Sequence, residues 1–337
     1  MTQATIFGCA GPALSEGERR LFADVRPFGL ILFDRNLETP DQIRALCAAF
    51  RAVTAAPDAP VFIDQEGGRV RRLRPPLCAD YPAAAAFLPA AGGDLERAAA
   101  LTRMAGRLIA ADLAALGITA NCAPVLDVAQ KDADRILEGR TFATSATGVA
   151  RLGRAFAEGL LAGGVLPVIK HIPGHGRATA DSHAELPVVT ADRKALETDF
   201  QPFRHLSDMP MAMTAHVMFT ALDPREPVTT SRRGIGFIRE ALGFGGLLMC
   251  DDVSMGALKG DLDVRARAAL DAGCDVALHC NGVLEEMMAV AAGARILRGR
   301  PGARARAALA RRVRAPEPLE ASDLRARLDR ALGAARP

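Results

Sequence analysis

Eight short apolar or β-branched runs recur along the chain, and stretches with the spacing of amphipathic helices separate most of them. Such runs are typical of strands that are buried on both faces, as in a parallel sheet. Parallel strands need crossover connections, which are usually helices. The candidate strands occupy residues 4–7, 29–33, 61–63, 118–122, 165–169, 211–215, 247–250 and 276–279.

The segments between the strands carry helix signals. In the stretch 39–55, Thr39 is a candidate N-cap and Pro40 stands at the first helical position. The other predicted helices cover 94–116, 148–162, 191–206 and 265–272. Eight strand–helix repeats favour closure into a (β/α)8 TIM-type barrel of the α/β class. No linker or shift in composition divides the chain, so we predict a single domain over residues 1–337 that ends in Arg/Ala-rich helices over about 295–337.

Polar side chains follow five of the predicted strands, at the point where each strand ends. They are Asp64, Asn121, Lys170 with His171, His216 and Asp251. In a closed barrel the carboxyl ends of all strands meet at one mouth, where active sites of this fold lie. A doubly wound open sheet would spread the same groups along an edge. The pattern therefore predicts a site at the mouth of a barrel.

The densest group of titratable residues is Lys-His-Ile-Pro-Gly-His-Gly at 170–176, followed by Asp-Ser-His at 181–183. Pro173 and the glycines after it exclude a continuing helix, and with it the zinc-protease arrangement of two histidines on one helix face. We predict a cis peptide bond at Ile172-Pro173, because the chain must reverse to bring the lysine and the first histidine to the mouth.

Asp181 and His183 form a candidate acid/base pair. Alternate residues of an extended segment point the same way, so the Asp181 carboxylate can reach the imidazole of its i+2 neighbour. A hydrogen bond that only stabilises the loop is the alternative interpretation. The nearby lysine and histidines favour the chemical one.

Two acidic motifs also follow strands. A carboxylate at the end of an apolar strand loses solvation unless it is paired or reactive, so we expect one of Asp251 and Asp252 to be functional and the other to cap the next helix. Two caps or two core ion pairs are the alternative. Asp64 and the arginines of the Gly-containing segment 64–72 are the acceptors and donors that suit vicinal sugar hydroxyls. The sequence contains no nucleotide-binding glycine motif and no Gly-x-Ser-x-Gly elbow.

An aspartate nucleophile with a separate, oriented acid/base fits retaining glycoside hydrolysis by double displacement. The usual acid of such enzymes is a carboxyl group. Here the sequence offers His183, an imidazole that exchanges its proton near neutral pH without the tuning that a glutamic acid would need.

Four motifs in order resemble glycoside hydrolase family 3, and within it the bacterial single-domain β-N-acetylglucosaminidases. They are Asp-Gln-Glu-Gly-Gly-Arg-Val at 64–70, Lys-His-Ile-Pro-Gly-His-Gly at 170–176, Asp-Ser-His at 181–183 and Asp-Asp-Val-Ser-Met at 251–255. The resemblance spans about residues 4–290. The short chain is similar to this branch rather than to the β-glucosidases, whose larger members add a second α/β domain.

The resemblance implies a role for each of eight residues. It makes Asp251 the nucleophile and His183 the acid/base, with Asp181 as its partner. It also implies that five residues bind N-acetylglucosamine in the −1 subsite: Asp64, Arg72, Arg140, Lys170 and His171. Arg140 stands in Gly-Arg-Thr-Phe at 139–142, similar to the family's Arg-Ser-Phe.

Other positions differ or receive no role. Many relatives have Asp-Thr after the last glycine of the 170–176 motif, whereas this chain has Arg177-Ala178. His175 and His216 lie close to the predicted site without an assigned function, and His175 is expected to be structural.

For such enzymes the resemblance implies a muropeptide substrate, N-acetylglucosaminyl-β-1,4-anhydro-N-acetylmuramic acid, which is cleaved in the cytoplasm during peptidoglycan recycling. It implies no cofactor and no metal. We expect a monomer or weak dimer.

Composition supports a cytoplasmic enzyme and excludes some partners. The seven cysteines are unpatterned, and several lie in or beside predicted strands, which suits a reducing compartment. We expect no signal peptide and no membrane contact, because the sequence contains no uninterrupted apolar stretch of about 20 residues. The arginines over 295–314 alternate with Ala and Leu without aromatic residues, so we interpret them as a solvated helix face and expect no nucleic-acid partner.

Three alternatives remain open. A family relative that uses phosphate in place of water would release N-acetylglucosamine 1-phosphate, and a histidine acid/base would repel that anion less than a carboxylate. A barrel that binds amino sugars without catalysis would require the loss of a key residue, yet Asp251, Asp181 and His183 are all present. A metal-dependent hydrolase through His171, His175 and His183 would be sensitive to a chelator.

Overall fold

The computed structural model describes residues 1–130, 135–316 and 318–333, and at its centre eight parallel strands close into a barrel. Neighbours in the barrel are neighbours in the sequence, and the first strand closes the ring by pairing with the last, Thr5 opposite Ala277. The predicted (β/α)8 barrel is confirmed. The strands are β1 (Gln3–Phe7), β2 (Pro27–Leu32), β3 (Val61–Ile63), β4 (Ala120–Asn121), β5 (Leu166–Ile172), β6 (Met211–Thr214), β7 (Leu247–Asp252) and β8 (Val276–His279).

Strand β4 is shorter than the predicted run 118–122, but the chain beyond it continues beside β5. The Leu126 backbone N–H donates to the Lys170 carbonyl at 2.7 Å, and the Lys170 N–H donates to the Pro124 carbonyl at 3.1 Å. This pairing carries the chain to the mouth of the barrel. Asp127 follows directly and therefore lies beside the end of β5.

Helices connect the strands, and each predicted helix is present with shifted ends. Polar side chains cap several of them; the Ser145 hydroxyl accepts from the Gly148 N–H at 3.2 Å, so that helix begins two residues earlier than predicted. No helix in the described part of the chain is both long and apolar enough to cross a bilayer. The helices are α1 (Glu16–Val25), α2 (Pro40–Val53), α3 (Phe87–Ala90), α4 (Leu95–Ala115), α5 (Ala146–Ala162), α6 (Arg193–His205), α7 (Arg232–Glu240), α8 (Leu262–Ala272), α9 (Leu284–Gly293), α10 (Gly299–Ala310) and α11 (Ala321–Gly333).

Two short strand pairs lie outside the barrel sheet in the described part of the chain. Gln65–Gly67 and Val70–Arg71 form an antiparallel hairpin directly after β3. Val188–Val189 pairs in parallel with Met218–Phe219. The hairpin is the segment that sequence analysis associates with sugar hydroxyls.

The predicted terminal helices are α10 and α11; residues 317 and 334–337 of the predicted span lie outside the described residues. The expectation that their arginines form a solvated face is wrong in part. Arg304 on α10 donates to the buried Asp275 carboxylate at 2.9 Å, and Arg312 donates to the Gly164 carbonyl at 3.0 Å. These arginines attach the end of the chain to the barrel, because buried acceptors there need partners.

Asp275 joins three elements at the opposite end of the barrel from the mouth. Its buried carboxylate accepts from Arg239 of α7 at 2.7 Å, from Arg304 and from the Leu248 N–H of β7 at 2.9 Å. We predict that Asp275→Asn lowers the free energy of unfolding by about 3 kcal/mol, since it leaves two mostly buried guanidinium groups without their counter-charge. Urea unfolding followed by circular dichroism measures the change.

Asp271→Asn is the matched control, because Asp271 pairs with Arg295 where both side chains are about half exposed. Its expected cost is below about 1 kcal/mol. Equal costs for the two variants would contradict the role given to Asp275.

Candidate active site

All eight residues that sequence analysis assigned to the site lie around one cavity of about 490 Å³ at the mouth of the barrel. Most lie at or just after the carboxyl ends of strands β3, β5 and β7, which meet there. His175 also lines this cavity, whereas Asn121 and His216 are fully buried behind it. The lining residues of the predicted site are Asp64, Arg72, Arg140, Lys170, His171, Asp181, His183 and Asp251.

An ion network covers one wall of the cavity. The Lys170 ammonium contacts Asp64 Oδ1 at 2.9 Å and Glu66 Oε1 at 2.8 Å. Arg72 donates to Asp64 Oδ2 at 3.1 Å. Arg140 donates two hydrogen bonds to the Glu66 carboxylate, from Nε at 2.9 Å and from Nη2 at 2.8 Å. Three cations thus face two carboxylates at this wall.

The network holds its members in their charged forms. Burial alone would raise the pKa of Asp64, but Lys170 and Arg72 outweigh it and the pKa is lowered. Glu66 behaves in the same way, with Lys170 and Arg140 as the opposing charges. Burial opposes the charge of Lys170, yet the two carboxylates raise its pKa. The wall is therefore fully ionised at neutral pH.

A buried aspartate orients His171. Asp127 Oδ2 lies 2.7 Å from His171 Nδ1, and Asp127 Oδ1 accepts from the backbone N–H groups of His171 and His175 at 3.3 and 2.7 Å. Burial would raise the pKa of Asp127, but His171 and these hydrogen bonds lower it. With Nδ1 engaged, Nε2 is the nitrogen left to act in the cavity.

Asp251 is the last residue but one of β7, and it lines the cavity. Oδ1 accepts from the Asp252 N–H at 2.9 Å. Burial would raise the pKa of Asp251, but His216, His171 and this N–H lower it. Asp251 is therefore ionised at neutral pH and well placed to act as a nucleophile.

Asp252 does not cap the next helix as expected. Its carboxylate accepts from the Ser254 N–H at 3.0 Å and the Ser254 hydroxyl at 2.7 Å, so it fixes the turn that follows β7, and α8 begins only at Leu262. His216 supports the same turn, with Nε2 3.0 Å from the Asp252 carbonyl. Burial lowers the pKa of His216.

The predicted contact between Asp181 and His183 is confirmed. Asp181 Oδ1 lies 2.7 Å from His183 Nδ1 and also accepts the His183 backbone N–H at 2.9 Å. The imidazole is 65% exposed and stands at the edge of the cavity. Burial would raise the pKa of Asp181, but its bonds to His183 lower it.

The loop between Pro173 and His183 rests on the turn after β7. The Gly256 N–H donates to the His183 carbonyl at 3.0 Å, and the Ala257 N–H donates to the Ser182 carbonyl at 3.2 Å. A Cβ at position 256 would lie 2.5 Å from the Ala184 carbonyl oxygen, so only glycine allows this approach. The peptide bond at Ile172-Pro173 is cis, which confirms the prediction, and so is that at Lys170-His171.

Sequence analysis missed Glu66 and Asp127, although both follow apolar runs. Glu66 stands two residues after Asp64, and the carboxylates of both residues contact the Lys170 ammonium. Asp127 follows Val125 and Leu126, a run that is too short to predict a strand. His175 is buried, and its ring Nδ1 finds no hydrogen-bond partner among the residues that the structure describes. No cluster of three or more His, Cys, Asp or Glu side chains that could hold a metal is found over 1–130, 135–316 and 318–333.

Comparison with known proteins agrees with this geometry. Residues 9–312 match the family described as "Glycosyl hydrolase family 3 N terminal domain". The chain belongs to glycoside hydrolase family 3. It is 40% identical over 282 residues to the "Beta-hexosaminidase" of Alkalilimnicola ehrlichii, a match that covers 82% of this chain and 80% of that protein. It is 37% identical over 300 residues to the "Beta-hexosaminidase" of Pseudomonas aeruginosa, covering 87% and 86%. The family member is therefore a glycoside hydrolase of the β-hexosaminidase group.

Solved structures of the family share the whole fold. NagZ from Neisseria gonorrhoeae, in complex with N-trifluoroacetyl-D-glucosamine, superposes with a TM-score of 0.87 at 29% identity and covers 99% of this chain and 98% of its own. A β-N-acetylglucosaminidase from Paenibacillus sp. superposes with a TM-score of 0.86 at 30% identity, covering 97% of this chain and 67% of its own.

The carboxyls of the ion network make the stability of this hydrolase sensitive to acid. The pKa values of Asp64 and Glu66 in the network, and that of Asp127 beside it, are lower in the folded protein than their ordinary values of 3.8, 4.5 and 3.8. Their contribution is present above those values and is lost as the pH falls through the lower folded values, because the unfolded chain takes up protons first. We predict a decline in the free energy of unfolding below about pH 4.5, with a shallower slope in Glu66→Gln.

Urea unfolding at several pH values measures both slopes. One proton fewer in the difference between the states reduces the slope by up to about 1.4 kcal/mol per pH unit. Identical slopes for wild type and Glu66→Gln would contradict the prediction.

Proposed function

We propose that the enzyme is a retaining β-N-acetylglucosaminidase that removes terminal non-reducing N-acetylglucosamine by double displacement. The observation that carries the proposal is the placement of an ionised Asp251 and the Asp181–His183 pair on different elements around one cavity. A nucleophile and an acid/base on separate supports are what the two steps of this reaction require.

In the first step Asp251 attacks the anomeric carbon, and the bond to the leaving oxygen breaks. His183 gives that oxygen the proton from Nε2, while Asp181 holds Nδ1 and stabilises the imidazolium. In the second step the neutral imidazole takes a proton from water as the water oxygen bonds to the anomeric carbon. Asp251 then leaves as a carboxylate, and His183 is again charged.

The ion network would bind the sugar in the −1 subsite. Asp64 has acceptor oxygens, and Arg72, Arg140 and Lys170 have donors, as vicinal hydroxyls require. His171, oriented by Asp127, adds a nitrogen at a fixed position. Within the described part of the chain, the buried Arg72 Nε has no hydrogen-bond partner, so a ligand oxygen at this wall would find an unused donor.

The natural substrate we propose is N-acetylglucosaminyl-β-1,4-anhydro-N-acetylmuramic acid, cleaved in the cytoplasm during peptidoglycan recycling by a monomer or weak dimer. Support comes from the family, from the β-hexosaminidase names of the curated relatives and from the N-trifluoroacetyl-D-glucosamine of the Neisseria neighbour. The buried free thiols agree with a reducing compartment.

Asp251→Asn should abolish turnover of 4-nitrophenyl N-acetyl-β-D-glucosaminide, because the amide cannot form the covalent intermediate. We expect a loss of roughly ten-thousandfold in kcat, similar to the removal of other catalytic groups. Release of nitrophenol measures it, and Asp271→Asn serves as a surface control. Activity that survives in Asp251→Asn would remove this residue as the nucleophile.

The same assay with and without phosphate separates water from phosphate as the acceptor. An increase in the rate with phosphate, together with formation of N-acetylglucosamine 1-phosphate, would identify a phosphorylase. A histidine acid/base is compatible with that reaction because it repels phosphate less than a carboxylate does. Absence of turnover in wild type, with retained binding of N-acetylglucosamine, would indicate the sugar-binding barrel. Loss of activity with a chelator would indicate a metal-dependent hydrolase.

His183→Ala should slow substrates in proportion to their need for protonation. Phenyl N-acetyl-β-D-glucosaminide should lose roughly 100- to 10,000-fold in kcat/KM, whereas the 2,4-dinitrophenyl substrate should lose little, because its leaving group departs as a stable anion. A series of aryl glycosides measures this dependence. Equal losses across the series would count against the acid role.

A further inference from the structure

Arg177 follows the 170–176 motif directly and forms an ion pair with α6. Its Nε donates to Asp199 Oδ2 at 2.6 Å, and its Nη2 donates to the Ala195 carbonyl at 2.9 Å. Arg177 belongs to the same loop as Asp181 and His183. The pair therefore connects the loop that holds the acid/base to a helix outside the barrel.

The environment of the pair makes each partner depend on the other. The Asp199 side chain is 2% exposed and that of Arg177 23%. Among the described residues, Asp199 Oδ1 has no hydrogen-bond partner. Burial raises the pKa of Asp199, and the nearby positive charge of Arg177 opposes this rise. A buried carboxylate with a single side-chain partner holds that partner firmly, because separation would leave the charge uncompensated.

The loop is fixed at both ends by different elements. At its start, Asp199 also packs against the turn at Gly174, where an added Cβ would lie 3.1 Å from the Asp199 Cβ. At its end, the backbone N–H groups of Gly256 and Ala257 hold the carbonyls of His183 and Ser182. The nucleophile Asp251 is on β7 and does not depend on the first of these attachments.

We propose that Arg177 is a positioning residue that, through Asp199, keeps the loop where His183 reaches the leaving oxygen. This inference rests on the acid role of His183 given under the proposed function. Loss of the ion pair displaces the proton donor while the nucleophile and the ion network stay in place. Its signature is a selective loss on poor leaving groups, because displacement of a catalytic group by about 1 Å costs up to about a hundredfold.

The test compares wild type, Arg177→Met, Arg177→Lys and His183→Ala on aryl N-acetyl-β-D-glucosaminides from 2,4-dinitrophenyl to phenyl. Arg177→Met should lose about ten- to a hundredfold in kcat/KM on the phenyl substrate and less than about threefold on the dinitrophenyl one. Arg177→Lys keeps the charge and should recover part of the loss. Arg204→Met is the matched control, because it breaks the exposed pair with Glu197 on the same helix and should not change the series.

A second variant covers the case in which Arg177→Met does not fold because Asp199 is left buried and charged. Arg177→Met/Asp199→Leu removes both charges and should show the same selective loss. Equal losses on all leaving groups in these variants, or a series identical to wild type, would overturn the positioning role. If His183→Ala itself loses equally on all substrates, the acid role fails and this inference fails with it. A selective loss in His183→Ala alone would overturn only the inference.

Discussion

The ammonium of Lys170 is the group on which the arrangement of the active site depends. It stands at the end of β5 and bonds to carboxylates from the segment after β3, so it fixes the hairpin that supplies Asp64 and Glu66. Glu66 in turn holds Arg140, which comes from a separate loop after β4. One buried positive charge on β5 thus gathers side chains from two strand–helix connections, those after β3 and β4. Its burial is tolerated because two carboxylates compensate it.

Buried carboxylates paired with basic side chains occur elsewhere in the barrel too. Asp127 holds His171 at the cavity, Asp275 holds Arg239 and Arg304 at the opposite end of the barrel, and Asp199 holds the arginine at the start of the loop that carries Asp181 and His183. In each case a carboxylate with little or no exposure joins elements that are distant in sequence. The apolar contacts of the barrel strands are similar around the ring and do not define where these polar side chains lie. A buried charge does, because it is stable only where an opposite charge or a hydrogen-bond partner reaches it.

The sequence was sufficient to predict the barrel, because its strands are buried on both faces and therefore appear as short apolar runs. It also located the site, since polar residues such as Asp64, Lys170 and Asp251 stand where those runs stop. Glu66 and Asp127 escaped notice because their importance comes from partners more than 40 residues away, Arg140 and His171. The terminal arginines were misjudged for the same reason: Arg304 has an ordinary helical context, and only the fold brings it to Asp275.

Closure of the ring by β1 and β8 has a consequence for biosynthesis. Thr5 pairs with Ala277, so β1, which is made before the other strands of the barrel, has one uncovered edge until β8 has been made. Arg304, which neutralises part of the charge at the foot of β8, emerges later still. During translation the growing sheet has two open edges, each able to pair with other chains. The nascent chain is therefore most exposed to aggregation just before β8 arrives, when all eight residues assigned to the site have already been synthesised.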